Sequence, residues 1–461
     1  MKPYRYIRSK CTGVLLLCAL VLAAGATSGA EQARRTQKAK PIQTTPVKPK
    51  RRPARMLLPE EKVARPNKEI DAYIRAEMRK NRLVGLGLGV VRNGNVSYLK
   101  GYGWQDREAR IPVHSRKTMF RWASISKTIT AIAAKKLELA GKLKLDNVVS
   151  IYYPDFHPPK SYLRKCSPGS KTNHKGKEIS CEDGFFEIPL ELQERYVTMR
   201  MLLGHLAGIM HYSNGKDSPV PPESVINDPA QNKGFAWALD YFINKPLVNK
   251  PRQKMSYTTF GFNLAGAVVE KAGGNSFHNQ VVAAVAQPLG MTTLQPDYQW
   301  KSIPNRAVGY EKKADPEDGK PSATLASSDT VVRQGSSDVS WKLPGGGYIS
   351  TVRDLARYCG GLMGEKIMRR KELEAMWVSQ KTAGGSTTGV GLSFFLGGRD
   401  GHRNVTHSGS QQKAVTYLNL APDDNLCVVV MSNSTYADVK KIAQDVEDIV
   451  REQTRKATLK N

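Results

Sequence analysis

Strand signals in this chain gather at its two ends, and that arrangement constrains the fold more than any other feature. LGLGVVRNGNVSYLKGYG, residues 86–103, holds two apolar runs around Asn93-Gly94, the dipeptide that best fits a tight two-residue hairpin. Alternating runs return only at NVTHSGS, KAVTYLNLA and NLCVVVMS, the last two joined by the turn PDDN at 422–425. An amphipathic helix pattern precedes the hairpin over 68–82, with Ile70, Tyr73, Ile74 and Met78 on one face. Another closes the chain over 436–451, with Val439, Ile442, Val446 and Ile449 in phase. The two ends therefore make one antiparallel sheet flanked by terminal helices, an α/β (α+β) fold. The middle, about 115–340, is expected to be an inserted all-helical domain. The interface between two such parts is a natural place for a cleft. The glycines at 85, 87 and 89 are no dinucleotide fingerprint, because no helix follows them.

The first residues follow different rules. Lys2, Arg5, Arg8 and Lys10 precede an apolar run over 14–24, and small residues continue to Ala30. This is the order of a secretory signal peptide over 1–30, cleaved after Ala30. The run is shorter than the roughly 20 apolar residues of a membrane anchor, and Leu17 precedes Cys18 where a lipoprotein needs a small residue. Residues 31–66 are rich in Lys, Arg, Pro, Gln and Thr, with almost no apolar period. Such a segment cannot offset its ordering entropy by burial and reads as a disordered basic linker. Of the formal net charge of +29, residues 1–66 supply +12, with fifteen Lys and Arg against three Asp and Glu. Export excludes nucleic acid as the partner. The charge then meets an anionic envelope surface or an acidic substrate, or is a solvated face. A secreted or periplasmic location is expected.

Past the leader four cysteines remain, Cys166, Cys181, Cys359 and Cys427. Cys166 and Cys181 share one polar stretch within a long insertion over 154–196, and in an oxidising compartment they should pair. Cys359 lies in a helical pattern and Cys427 in an apolar strand, and both read as buried free thiols. No metal is expected, because Cys166, His174 and Cys181 lack zinc-ligand spacing.

The chemistry concentrates in RWASISKTITAIAAKK, residues 121–136. Ser-x-x-Lys occurs at Ser124, Ser213 and Ser410, so the pattern alone decides nothing. SNGK at 213–216 reads as a turn, and Ser410 to Lys413 links two strands. Only Ser124 opens a helix, one that runs to about Gly141. There i and i+3 share a face and free N–H groups can stabilise an oxyanion. A lysine one turn inside an apolar helix start is desolvated, which lowers its pKa toward that of a usable base. The residues alone leave a second reading open, an N-cap serine with a snorkelling lysine.

FRWASISKTITAIAA resembles the first active-site motif of the penicillin-recognising serine hydrolases. These include class C β-lactamases, D-alanyl carboxypeptidases, D-aminopeptidases, related esterases and LACTB-type proteases. The resemblance runs from about Leu83 to Ser434. VTMRMLLGHLAGI is similar to the helix before the family's active-site loop, and GGGYISTVRDLARY to its Gly-Gly segment. No Gly-x-Ser-x-Gly elbow is present, which argues against an α/β-hydrolase. The family's second motif is Tyr-x-Asn. Literal matches at Tyr212 and Tyr417 stand at the wrong places in the family's order, while SYTTFGFNLAGAVVE resembles the motif's surroundings. The resemblance thus makes Tyr257 the phenol beside Lys127, with Thr259 where Asn is usual and Tyr212 as the alternative. The third motif is matched by His407-Ser408-Gly409. It implies His407 as a polarising donor, Ser408, Gly409 and Thr259 as substrate-binding positions, and the N–H groups of Ser124 and Ser410 as an oxyanion hole. His205 reads as structural.

Taken together, residues 67–458 imply an exported serine hydrolase that forms an acyl-enzyme on peptide or ester carbonyls. No cofactor is expected. The substrate would be a small peptide, an ester or a cell-wall-derived compound. A β-lactamase, or a catalytically silent cell-wall-binding protein, is the alternative.

Overall fold

The computed structural model describes residues 67–212, 221, 223–230, 234–313 and 330–459. The signal peptide and basic linker expected over 1–66, and the SNGK turn, lie outside the described residues.

Asn67 caps the first helix, α1 (Lys68–Asn81), by accepting from the Ile70 N–H. The chain then enters β1 (Gly85–Arg92), turns at Asn93-Gly94 and returns as β2 (Asn95–Asp106). Both turn residues have positive φ, 49° and 71°, as a type I′ hairpin requires. A short β3 (Ile111–Pro112) completes this edge. The other strands come from the far end: β4 (Phe395–Arg399), β5 (His402–Gln411), β6 (Ala414–Ala421) and β7 (Leu426–Ser432). The sheet order is β4-β5-β6-β7-β1-β2-β3, with every pairing antiparallel. β1 and β7 meet at the centre, so the two chain ends close one sheet, as the strand signals require.

Alternation along β7 explains how both faces are buried. Val428 and Val430 pack with Ile70 and Ile74 of α1 and with Ile442 and Val446 of the last helix. Cys427, Val429 and Met431 pack on the other side with Leu355 and Cys359. These belong to α4 (Val352–Met363), and the last helix is α5 (Val439–Thr458). The glycines of β1 serve this packing. A Cβ on Gly87 would come within 2.9 Å of Val352, and one on Gly89 within 2.9 Å of Ala356. Bare backbone there lets α4 approach the sheet closely.

The middle of the chain carries α2 (Ser126–Leu139) and α3 (Phe260–Gly273), the latter closed by left-handed Gly274. It is not all-helical. The polar insertion forms two ribbons, Ser161–Lys165 with Phe185–Pro189 and Lys171–His174 with Lys177–Ser180. Cys166 and Cys181 are bridged between them, with Cα atoms 6.0 Å apart. The expectation for the other two cysteines is corrected. Cys359 of α4 and Cys427 of β7 also form a disulfide, with Cα atoms 6.3 Å apart. Each was read on its own element, and strand-on-helix packing brings them together. No helix among the described residues is long and apolar enough to cross a membrane.

Candidate active site

Ser124 stands between the sheet and the middle region. Its chain segment leaves a short strand pair, in which Arg121 lies opposite Ile349, and turns sharply at Ala123. Ala123 has φ of +48°, a strained value for a residue with a side chain. Ser124 lies in a 3₁₀ turn, Ala123–Ile125, that runs directly into α2. The helix proper thus starts two residues later than the sequence suggests, and Ser124 keeps a first-turn N–H that the helix does not use. Trp122 anchors the turn by donating its indole N–H to Ser350 Oγ at 2.7 Å.

Lys127, one turn along, is fully buried. Its Nζ lies 3.1 Å from Ser124 Oγ, 3.0 Å from Thr259 Oγ1 and 2.6 Å from the Gly345 carbonyl oxygen. Burial holds its amine well below the usual lysine range, and the charge of Lys342 adds to the effect. The Leu343–Gly346 turn that supplies Gly345 is fastened to α2, where Thr130 Oγ1 donates to the Pro344 carbonyl at 2.7 Å. Thr259 reaches Lys127 from the head of α3.

Tyr257 lies against the same pair. Lys127 Nζ is 4.9 Å from its ring centroid. Burial pushes its phenol up, opposed by a hydrogen bond with Ser124. His205, at φ +57°, stacks on Tyr257 with centroids 4.4 Å apart. Its Nδ1 accepts the Thr258 N–H at 3.1 Å, which fixes the loop carrying Tyr257. Burial also drives His205 well below its ordinary pKa, so the ring is a neutral support. Tyr212 is elsewhere: its hydroxyl accepts from Lys342 Nζ at 3.2 Å. Of the two tyrosines, Tyr257 is the one at the Ser124–Lys127 pair.

The third side of the site is β5. His407 pairs with Leu418 and Gly409 with Thr416, so both face the middle region. The ring of His407 is buried, and its Nδ1 donates to the Ser408 carbonyl at 2.7 Å. Burial, with the charge of Lys127, lowers its pKa to about 3, against the pull of that carbonyl. Gly409 backs directly onto the nucleophile's turn: a Cβ there would sit 2.5 Å from the Trp122 carbonyl oxygen and 3.1 Å from Ala123 Cβ. The side chains of Ser408 and Ser410 point the other way, into a hollow shared with Tyr417, Asp438 and Lys440. Only their backbone is offered to the site. β4 pairs with β5 only as far as Thr406, so among the described residues the β4-side edge of residues 407–411 is unpaired.

Sequence reasoning missed three groups here. His211 Nδ1 accepts the Thr259 N–H at 3.3 Å, and burial brings its pKa to about 4. Lys342 and Gln411 border the same space. None belongs to a short motif, and only the folded loops bring them in.

A serine hydrogen-bonded to a buried lysine, flanked by a tyrosine and an open strand edge, defines the site of a penicillin-recognising type of serine hydrolase. The family model described as "Beta-lactamase" matches residues 70–451, and the chain belongs to that family. Protein flp of Staphylococcus aureus is 22% identical over 395 residues, 85% of this chain and 68% of that protein. The mouse serine beta-lactamase-like protein LACTB, mitochondrial, is 27% identical over 342 residues, covering 60% of this chain and 54% of LACTB. Among solved structures, the octameric penicillin-binding protein homologue of Pyrococcus abyssi matches with a TM-score of 0.61 at 23% identity. That match covers 84% of this chain and 77% of the other. The D-amino acid amidase of Ochrobactrum anthropi SV3 matches with a TM-score of 0.60 at 18% identity, covering 84% of this chain and all of that one.

Proposed function

We propose that the protein is an exported serine hydrolase that forms an acyl-enzyme on Ser124 and acts on peptide, amide or ester carbonyls. The observation that carries this reading is the environment of Lys127. A neutral lysine has two N–H donors and one lone pair. With N–H groups on the Gly345 carbonyl and Thr259 Oγ1, the lone pair faces the Ser124 hydroxyl. Lys127 then accepts the Ser124 proton as Oγ attacks the carbonyl carbon. Tyr257, held protonated by burial, hands its proton to the leaving group, and the proton that Lys127 took from Ser124 restores the phenol. The N–H groups of Ser124 and Ser410 receive the oxyanion, Gly409 lets β5 lie directly against the Trp122–Ala123 turn, and substrate backbone lies along the free edge of β5. His407, uncharged, holds the Ser408 carbonyl in place and lines the site. Water then releases the acyl group with the proton transfers reversed.

A peptidase, amidase or esterase is favoured over a β-lactamase, because Thr259 and a neutral His407 offer a β-lactam fewer charged and amide partners. That a D-amino acid amidase shares the fold agrees with this choice. Two disulfides agree with export through a leader over 1–30. The basic segment 31–66 would hold the enzyme near an anionic envelope surface. Incubation with D-amino acid amides, muropeptides and short acyl esters, read by mass spectrometry, tests the reading. Turnover lost in Ser124→Ala is expected, and equal turnover in both proteins would refute it.

A further inference from the structure

Lys342 is an ammonium group with no obvious reason to be buried. The residue is 7% exposed. Its partners among the described residues are the Tyr212 hydroxyl at 3.2 Å and the ring faces of Tyr212 and Trp341, at 4.8 and 5.5 Å. No carboxylate is among them. Three N–H donors and a full charge are thus left with one phenol oxygen and two π faces. Burying a cation on such terms is costly unless an anion joins it.

The space beside it borders the Ser124 turn. Gly346 has no side chain, and the point its Cβ would occupy is 3.7 Å from Lys342 Cε, 3.7 Å from Ala123 C and 3.6 Å from Gln411 Oε1. Lys342 therefore lies within one small group's width of the Ser124 turn. The Nε2 of the same amide is buried without a hydrogen-bond partner among the described residues. It sits on the same β5 face as His407 and Gly409. Lys342 and the Gln411 amide, with Oε1 as its nearer atom, thus flank the bare face of Gly346 next to the proposed nucleophile.

We propose that Lys342 and Gln411 bind a carboxylate of the substrate, making Lys342 the residue that selects anionic substrates. The assignment rests on the hydrolase reading above, and it gives the site a charge that His407 cannot supply. One carboxylate oxygen accepts from Lys342 Nζ and the other from Gln411 Nε2, once the Gln411 amide turns over to present its NH₂ group. The scissile carbonyl lies on the Ser124 side of Gly346.

Two substrate pairs test this and report which side of the scissile bond carries the carboxylate. One is N-acetyl-D-alanyl-D-alanine against its C-terminal amide, and the other p-nitrophenyl hydrogen succinate against p-nitrophenyl butyrate. In wild type, kcat/KM is expected to favour the charged member of at least one pair. Lys342→Met should lower that charged-to-neutral ratio by about tenfold or more, the value of one charge-assisted hydrogen bond, while Lys342→Arg should keep it within about threefold. A merely structural role for Lys342 lowers both members alike and leaves the ratio fixed. A second arm needs no turnover. Ser124→Ala protein, titrated with monomethyl succinate and with neutral dimethyl succinate, should bind the anion more tightly, and adding Lys342→Met should remove the difference. An unchanged ratio together with equal binding overturns the assignment. Absent turnover with anion binding intact overturns the hydrolase reading alone.

Discussion

Gly409→Ala is a small change with a large expected effect. The new Cβ would lie 2.2 Å from Thr416 Oγ1, 2.5 Å from the Trp122 carbonyl oxygen and 3.1 Å from Ala123 Cβ, where comfortable contact begins at about 3.5 Å. Thr416 cannot simply turn aside, because its Oγ1 donates to that same Trp122 carbonyl at 3.0 Å. Relief therefore requires β5 and the Trp122–Ser124 segment to separate by about 1 Å. Overpacking of this kind costs about 1–3 kcal/mol, which a protein of this size survives. The consequence for chemistry is greater. The Ser124 and Ser410 N–H groups sit on opposite sides of the widened gap. Losing one oxyanion donor costs about 10²–10³ in rate, and a 1 Å misplacement about 10². Second-order labelling by a fluorophosphonate should fall by at least about 10², while thermal unfolding remains cooperative. Ser408→Ala is the control: its side chain faces α5, so labelling should change by no more than about twofold. Folded Gly409→Ala protein that labels at the wild-type rate would refute the placement of the oxyanion site.

Acylation should rise with pH and level off well below the ordinary lysine range near 10.4, because only neutral Lys127 accepts the proton and burial depresses its pKa; stopped-flow labelling across pH 5–10 checks this. Turnover of a chromogenic cephalosporin should be at least about 100-fold poorer, as kcat/KM, than that of a good ester or D-amino acid amide. Thr259 and neutral His407 each forfeit a charge-assisted or amide bond worth about 1.5–3 kcal/mol. The pH-dependent gain that an ordinary histidine near 6.5 would give should be missing: with its pKa at about 3, His407 stays neutral throughout pH 5–8. In protein recovered from an oxidising compartment with its leader removed, thiol titration should find no free cysteine before reduction and four after it. Two free thiols before reduction would contradict the Cys359–Cys427 bridge.

The fold was largely legible because strand alternation and the Asn93-Gly94 turn are local signals, and their placement at both ends leaves one way to close a sheet. The Ser124–Lys127 pair was legible for a similar reason, since an i, i+3 relation on one helix needs no tertiary knowledge. What escaped depends on distance along the chain. Cys359 and Cys427 are separated by 68 residues and meet only because α4 packs on β7. The Lys171–His174 and Lys177–Ser180 ribbon has too few apolar residues to show alternation. Lys342 looked like one more charge in a basic chain until the Leu343–Gly346 turn folded it inward. The faces of Ser408 and His407 follow from sheet register, which a three-residue motif does not reveal. The pKa of His407 depends on burial by elements far away in sequence.

The central claim is that Ser124, activated by Lys127, is the nucleophile. Its most direct test is intact-mass and peptide-mapping analysis of wild-type protein treated with a fluorophosphonate. One adduct per chain is predicted, on the peptide carrying Ser124, and Lys127→Met should suppress it while the protein still unfolds cooperatively. No adduct, an adduct on another serine, or undiminished labelling of Lys127→Met would contradict the account.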